Sequence, residues 1–339
     1  MRNFIKTLLI LSGVFLVTSC GPHESFSVKS LLNEPDADTP PSTGNEGLTS
    51  ALKICSKLSF SNVKWPSSLT ASDRDALMLA LNLSGSFEGS AGWGNITNNF
   101  DGTGLSLGLL NQTLGTGSLQ PLLIEMRNNN YTKMESVFGS KRFQSVLDML
   151  ALWEKNKILT LEDFETSNRF DIGFDTLIKA ASRNSDSINW AKANLYQSNG
   201  RFIPEWSKEL TALAKLPEYI SIQIKATLPM HTRSLDYEKR IGVRELRAYL
   251  MMFDVTVQNG SIPSTDWADF ATYLKASPKA TATERLDKIL ELRLRHVRTE
   301  YVSDVKARKQ AIINGRGIVH GTSRKLETEY CYSGSLSYR

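Results

Sequence analysis

Phe87 to Gly108 reads FEGSAGWGNITNNFDGTGLSLG. Upstream of it, from Ser72 to Phe87, the apolar residues Ala76, Leu77, Ala80, Leu81, Leu83 and Phe87 recur at helical spacing. Ser72 with Asp75 three residues on has the form of a capping box, and Gly85 and Gly89 mark the helix end. The chain then turns abruptly rich in glycine and asparagine. Asn95–Thr97 and Leu105–Leu109 are short strand candidates on either side of the turn DGTG. Two carboxylates stand in this segment, Glu88 at the helix end and Asp101 in the turn.

Helical patterns dominate the rest. Further helices are expected near 118–128, 141–155, 173–182, 186–197, 205–226, 242–258, 265–274 and 282–312. The last opens on Thr281 and Glu284, again box-like, and stops at Asn314-Gly315. The class is therefore α+β, mostly α, with a small β element beside the two carboxylates.

The first residues, MRNFIKTLLILSGVFLVTSC, have basic Arg2 and Lys6, an apolar run from Leu8 to Val17, and small residues before Cys20. Such a run is short for a membrane span and has the form of a secretory signal. Its ending, Val-Thr-Ser-Cys, resembles a bacterial lipobox. On that reading residues 1–19 are a lipoprotein signal peptide and Cys20 is the lipidated residue. Gly21, rather than an aspartate, follows the cysteine and points to the outer membrane facing the periplasm. The alternative is an ordinary signal peptide and a secreted protein. Residues 20–48, with Pro22, Pro35, Pro40 and Pro41 among Ser, Thr, Asp and Gly, bury too little to fold and read as a flexible tether. Residues 49–339 form the body, long enough for one domain of two lobes.

The formal net charge is +5, and loss of Arg2 and Lys6 with the leader leaves +3. So small an excess over this length is no nucleic-acid signature. The four histidines are scattered without paired-ligand spacing, so neither a metal nor another cofactor is expected. After Cys20 the chain has Cys55 and Cys331. In an oxidising compartment an even count favours a Cys55–Cys331 bond over two buried thiols.

Hydrolysis of a glycosidic bond needs one carboxylic acid to protonate the leaving oxygen and a second carboxylate to activate water or attack the sugar. Glu88 follows aromatic Phe87 at the negative end of a helix dipole, and both neighbours favour its protonated form. Asp101 lies in a Gly-rich turn where water and backbone donors keep it ionised. The two environments differ in the direction acid–base work requires. The plainer reading is a common Asp-Gly turn and a solvated helix-end glutamate.

The motif weighs against that plainer reading. FEG followed by GWGNITNNFDGTGLSLGLLNQTLGTGSLQPLL resembles the catalytic segment of chitosanase-like members of the lysozyme superfamily, especially the family 46 glycoside hydrolases. The resemblance implies a lysozyme-like, two-lobed fold, with Glu88 as general acid and Asp101 as general base. It also implies that Ser106 is the hydroxyl that positions the attacking water. The Glu88-to-Asp101 interval is shorter than in those chitosanases. A second segment, YLMMFDVTVQNGSI from Tyr249 to Ile262, looks like the chitosanase helix ending in FDxxVxxG. The resemblance puts arginines against Asp254 near the catalytic glutamate, with Arg308 the candidate and Arg298 behind it. Asp254 could equally belong to a core ion pair alone. INGRGIVHG, Ile313 to Gly321, is similar to late sequences of cell-wall-degrading relatives.

The implied partner is a polysaccharide, with the membrane reached through the lipid anchor and the protein a monomer. A tethered periplasmic enzyme would meet peptidoglycan. Some relatives with the FDGxGLSxG segment, including a group from predatory bacteria, act on deacetylated peptidoglycan, whose free amines chitosan shares. Asn98, Asn99, Asn111 and Gln112 could bond sugar hydroxyls and Trp93 could stack on a pyranose, though turn or core roles suit each as well. The competing readings are a non-catalytic cell-wall-binding lipoprotein and a lytic transglycosylase, which needs only the glutamate.

Overall fold

The structure, a computed structural model, describes the backbone of residues 54–166 and 174–337 and the side chains of 54–155 and 184–337. The expected signal, Cys20 and the tether lie outside the described residues. The first helix, α1, spans Ala71–Glu88. Its cap is Thr70, not Ser72: Asp73 N donates to Thr70 Oγ1 at 3.2 Å and Thr70 N returns to Asp73 Oδ2 at 3.1 Å. Thr70 is extended (φ −67°, ψ 168°), which lets its side chain fold back on the first turn; Asp75 lies within the helix, where burial pushes its carboxyl up.

Three two-residue strands follow, β1 (Ile96–Thr97), β2 (Ser106–Leu107) and β3 (Gln112–Thr113), antiparallel in the order β1-β2-β3. Ile96 pairs with Leu107, and Ser106 with both Thr97 and Thr113. Gly102 (φ 82°) and Gly104 (φ 85°) turn the β1–β2 connection in the left-handed region, where an L side chain is strained. Helices then succeed one another: α2 (Gln120–Asn129), α3 (Tyr131–Thr166), α4 (Phe174–Asn194), α5 (Pro204–Ala214), α6 (Pro217–Ala226) and α7 (Leu228–Ile241). They continue as α8 (Leu246–Asn259), α9 (Ser264–Ala276), α10 (Ala282–Leu294) and α11 (Val302–Asn314). A hairpin of β4 (Arg316–Val319) and β5 (Thr322–Lys325) leads into α12, Leu326–Tyr330. The fold is α+β and mostly α.

The expected 173–182 and 186–197 helices are one, α4, and the expected 282–312 helix is two, α10 and α11; other boundaries move where proline or glycine intervenes. Pro217 cannot donate to the preceding turn and holds Leu216 extended (ψ 135°), so the expected 205–226 helix is two, α5 and α6. Gly242 (φ 70°) closes α7 rather than opening α8. Gly139 (φ 65°) breaks α3 near its start.

Two apolar cores organise the body. One joins α1, α8, α10 and α11 through residues such as Leu77, Leu81, Phe253, Leu290 and Ile312. The other joins the three-stranded sheet to α2, α3 and α5 through Leu107, Leu123, Phe138 and Leu210. Helix α6 serves both: Ile220 and Ile224, one turn apart, enter the first core, while Tyr219 and Ile222 enter the second. The ends of the body are tied by the Cys55–Cys331 disulfide, with a Cα separation of 5.1 Å, and by Cys55 N donating to Tyr330 O at 2.9 Å.

That closure spans 276 positions. In the chain-entropy model it stabilises by about 5 kcal/mol, less any native strain. Reduction, or Cys55→Ser with Cys331→Ser, should lower the urea midpoint while leaving the helical circular dichroism of the native state; an unchanged midpoint would contradict this. Beside the bridge, burial pushes the Glu329 carboxyl up, but hydrogen bonds from Arg324 and the Lys325 N–H, with Lys57 nearby, hold it down at about 2. A depressed carboxylate contributes stability that is complete above its unfolded value of 4.5 and is lost as pH falls toward about 2. Glu329→Gln should therefore flatten the acid side of the stability profile in that window, measured by urea unfolding at successive pH values.

Candidate active site

Glu88 is the last residue of α1, and the sheet begins under it because two close approaches are allowed. A Cβ on Gly85 would stand 2.4 Å from Leu109 Cδ1, and one on Gly89 would stand 2.5 Å from Asn95 Oδ1. Gly85 is thus a packing residue inside the helix rather than its terminator. The approach lets Asn95 and Asn111 clasp the helix end. Asn95 Nδ2 donates to Asn111 Oδ1 at 2.8 Å, and Asn111 Nδ2 lies 3.3 Å from Glu88 Oε2 and 3.4 Å from the Glu88 carbonyl. Asn111 holds this position with φ 50°, a left-handed conformation asparagine tolerates.

On its other side Glu88 meets Arg308. Arg308 Nη1 donates to Glu88 Oε1 at 2.7 Å, and Nη2 donates to Asp254 Oδ1 at 2.6 Å. Lys309 Nζ completes the set with Asp254 Oδ2 at 2.7 Å. Asp254 and Lys309 are fully buried and Arg308 nearly so, while the Glu88 side chain keeps 20% of its surface exposed. Burial alone would push the Asp254 carboxyl up, but the adjoining Arg308 and Lys309 charges outweigh it and hold it well below the usual range. Burial pushes the Lys309 ammonium down, to about 8, against the opposing pull of Asp254. The Arg308 guanidinium is desolvated as well, yet Asp254 and Glu88 raise it above its ordinary value. The same guanidinium lies over the Phe87 ring, 4.9 Å from its centroid.

The resemblance put an arginine against Asp254 near Glu88; in the structure the Arg308 guanidinium bonds both carboxylates directly. Arg298, expected behind Arg308, is paired at the surface with Glu300 instead. Its place at Asp254 is taken by Lys309. Sequence gave little reason to choose Lys309, because neighbours on a helix do not usually face one target. Here α11 lies so that Arg308 and Lys309 reach Asp254 from two sides.

Asp101 is exposed and sits beyond the β1–β2 pairing, in the turn that opens with the 3₁₀ segment Asn99–Asp101. Its Oδ1 accepts from Thr103 N at 3.1 Å and Thr103 Oγ1 at 2.7 Å. The sheet thus carries the clasp of Glu88 at one end and Asp101 at the other. Ser106 lies within β2 and is 3% exposed, and the hydroxyl that bonds Asp101 is that of Thr103. Trp93 is likewise corrected. It is buried against Phe60, and its Nε1 donates to Ser59 O at 2.9 Å, so it offers no face to a sugar. Gln112 is half-buried on β3, with a buried Oε1 that lacks a protein partner. Asn98 and Asn99 line a groove of about 380 Å³ beside the turn.

Among the described residues, no group of three or more His, Cys, Asp or Glu side chains could hold a metal ion, and no helix is long and apolar enough to cross a membrane. No family model matches this chain, and no curated protein matches it.

The network separates structural from chemical roles. Asp254→Leu leaves Lys309 buried without a counter-ion and Arg308 with Glu88 alone, and should cost about 3–5 kcal/mol in urea unfolding. Glu88→Gln, at the exposed end, should cost less than about 1 kcal/mol. Equal losses would mean that Glu88 is simply part of the core ion cluster.

Proposed function

We propose that the protein is a glycoside hydrolase that cleaves β-1,4 bonds of an amino-sugar polymer, peptidoglycan above all, with Glu88 as acid and Asp101 as base. The observation that carries the reading is the setting of Glu88. It is a helix-end carboxylate, partly open to solvent, held from beneath by a buried Arg308–Asp254–Lys309 cluster and followed by a hairpin that bears a second, exposed carboxylate. Glycoside hydrolysis draws on two carboxyl groups with different neighbours, and here one stands at a helix end and the other in a turn beside a groove. The resemblance to chitosanase-like, lysozyme-superfamily enzymes supports the same assignment.

In this mechanism Glu88 donates its proton to the glycosidic oxygen as the bond to the anomeric carbon breaks. Asp101 takes a proton from a water that attacks that carbon from the opposite face. Thr103 fixes Asp101 through Oδ1, leaving Oδ2 without a partner among the described residues and available to water. After product leaves, the proton on Asp101 returns to Glu88 through solvent. In an inverting enzyme the carboxyl groups of the bound state stand about 6.5–9.5 Å apart; about 5–5.5 Å would mean a covalent, retaining route. Arg308 holds Glu88 in position, and its bond to Oε1 must yield when Glu88 carries a proton toward substrate.

That bond also favours a second reading. If Arg308 holds Glu88 throughout, the protein is a non-catalytic cell-wall-binding lipoprotein that keeps the fold. The kinetic test separates the two. Glu88→Gln keeps shape but cannot act as an acid, and should lower turnover on peptidoglycan by roughly 10²–10⁴-fold. Asp101→Asn should be severe or intermediate, depending on whether another base replaces it. Wild-type turnover in Glu88→Gln rules the mechanism out. The proposed address is the outer membrane facing the periplasm, through lipid on Cys20. Cys20→Ser should leave a soluble or unprocessed protein, and its retention on membranes would contradict the anchor.

A further inference from the structure

Asp101 is exposed, and the strands on either side of its turn are two residues long. So short a ladder does little to hold the carboxylate in one place. Other bonds do, and they run outward from it. Its Oδ1 is held by the backbone N–H and the hydroxyl of Thr103. The Thr103 carbonyl accepts in turn from Gly115 N at 2.9 Å. The next residue, Gly104, is held at both ends of its backbone. Its N–H donates to Asn99 Oδ1 at 2.7 Å, and its carbonyl accepts from the Tyr196 hydroxyl.

Tyr196 comes from a distant part of the chain, 92 positions from Gly104. It follows α4 and is itself well fixed. It bridges to Phe202, the two rings 4.9 Å apart, and Ile203 N donates to Leu195 O at 2.8 Å. The loop is therefore a firm support, and its phenol reaches across to the turn. Asn98 Nδ2, 3.5 Å from Gly200 O, adds a second and longer tie between the two. Burial, and then the nearby Asp101 charge, push the Tyr196 phenol well above its ordinary value, so the hydroxyl remains a neutral donor. Tyr196 thus acts on the turn by its hydrogen bond and not by titration.

A reacting group displaced by about an ångström can lose on the order of 10²-fold in rate. A turn held only by its own short strands has that freedom, and a turn bonded at Gly104 has less. We propose that Tyr196 is a positioning residue for the base: by fixing the Gly104 carbonyl it sets, through Thr103, where the Asp101 carboxylate stands. The assignment rests on the glycoside hydrolase reading and deepens it by naming a residue that acts through Asp101.

Tyr196→Phe keeps the ring and its packing on Phe202 but loses the hydroxyl. On peptidoglycan, kcat should fall about tenfold with KM changed by less than about twofold. The same substitution made in Asp101→Asn should change the residual rate little, because the residue it acts through is gone. A loss of equal size in both backgrounds would mean a purely structural role, and wild-type kcat in Tyr196→Phe would mean no role; either overturns the assignment. Hydrogen exchange read by mass spectrometry keeps this apart from the catalytic reading. Amides of residues 99–104 should exchange faster in Tyr196→Phe, while those of α1 should not change. Unchanged exchange in the turn overturns the positioning role whatever the kinetics. Faster exchange in a protein that breaks no glycosidic bond upholds the hold of Tyr196 on the turn and overturns the hydrolase reading instead.

Discussion

Asp254 is a carboxylate with no exposed surface, and the arrangement of the site follows from what that demands. An ionised carboxylate in an apolar core is unstable unless charges and hydrogen bonds replace its water. Both of its oxygens are satisfied from α11, by Arg308 and Lys309. The register of α11 against α8 is thereby fixed, and the second arm of Arg308 is left directed at Glu88. A core ion cluster and a candidate catalytic carboxylate are thus one hydrogen-bonded unit spanning α1, α8 and α11. The unit continues outward, since Lys309 also donates to Gln258 Oε1, and Gln258 Nε2 to Asp304 at 2.9 Å.

The other half of the site depends on how closely the sheet can approach α1. Gly85 and Gly89 open the space, and Leu109 and Asn95 fill it. Helix α6 then holds the sheet from the far side, with Gln223 Oε1 accepting from Leu109 N at 2.9 Å and Gln223 Nε2 donating to Ala214 O at 3.1 Å. The two cores meet along α6. The strands are only two residues long, so side-chain contacts rather than a long ladder must fix the hairpin that presents Asp101.

Some of this was legible in sequence because local rules decide it. The apolar stripe of α1, the Thr281–Glu284 box, the Asn314-Gly315 stop and the helix-end position of Glu88 all follow from residues within a few positions of one another. The Asp254–Arg308 contact was reached through a family resemblance, since no local pattern predicts a pairing across 54 positions. What was missed depends on tertiary contact. Lys309 carries no reading in the sequence, Trp93 reads as an aromatic able to stack on a sugar, and Ser106 as a hydroxyl that positions water. Lys309 depends on how α11 packs against α8, whereas Trp93 and Ser106 depend on which way a two- or three-residue element turns, and so short an element shows no alternation from which to read that. Helix α7 was overlooked because its sequence, LPMHTRSLDYEKRI, is largely polar and its apolar positions are sparse.

The account turns on whether a glycosidic bond is broken by water. Digestion of purified peptidoglycan in ¹⁸O-labelled water, followed by mass spectrometry of the fragments, reads this directly. A Glu88–Asp101 hydrolase must place one labelled oxygen at the anomeric carbon of every new reducing end. Unlabelled 1,6-anhydro ends would instead mean intramolecular transfer with Glu88 alone. The absence of new ends, in intact or in deacetylated peptidoglycan, would contradict the enzymatic assignment itself.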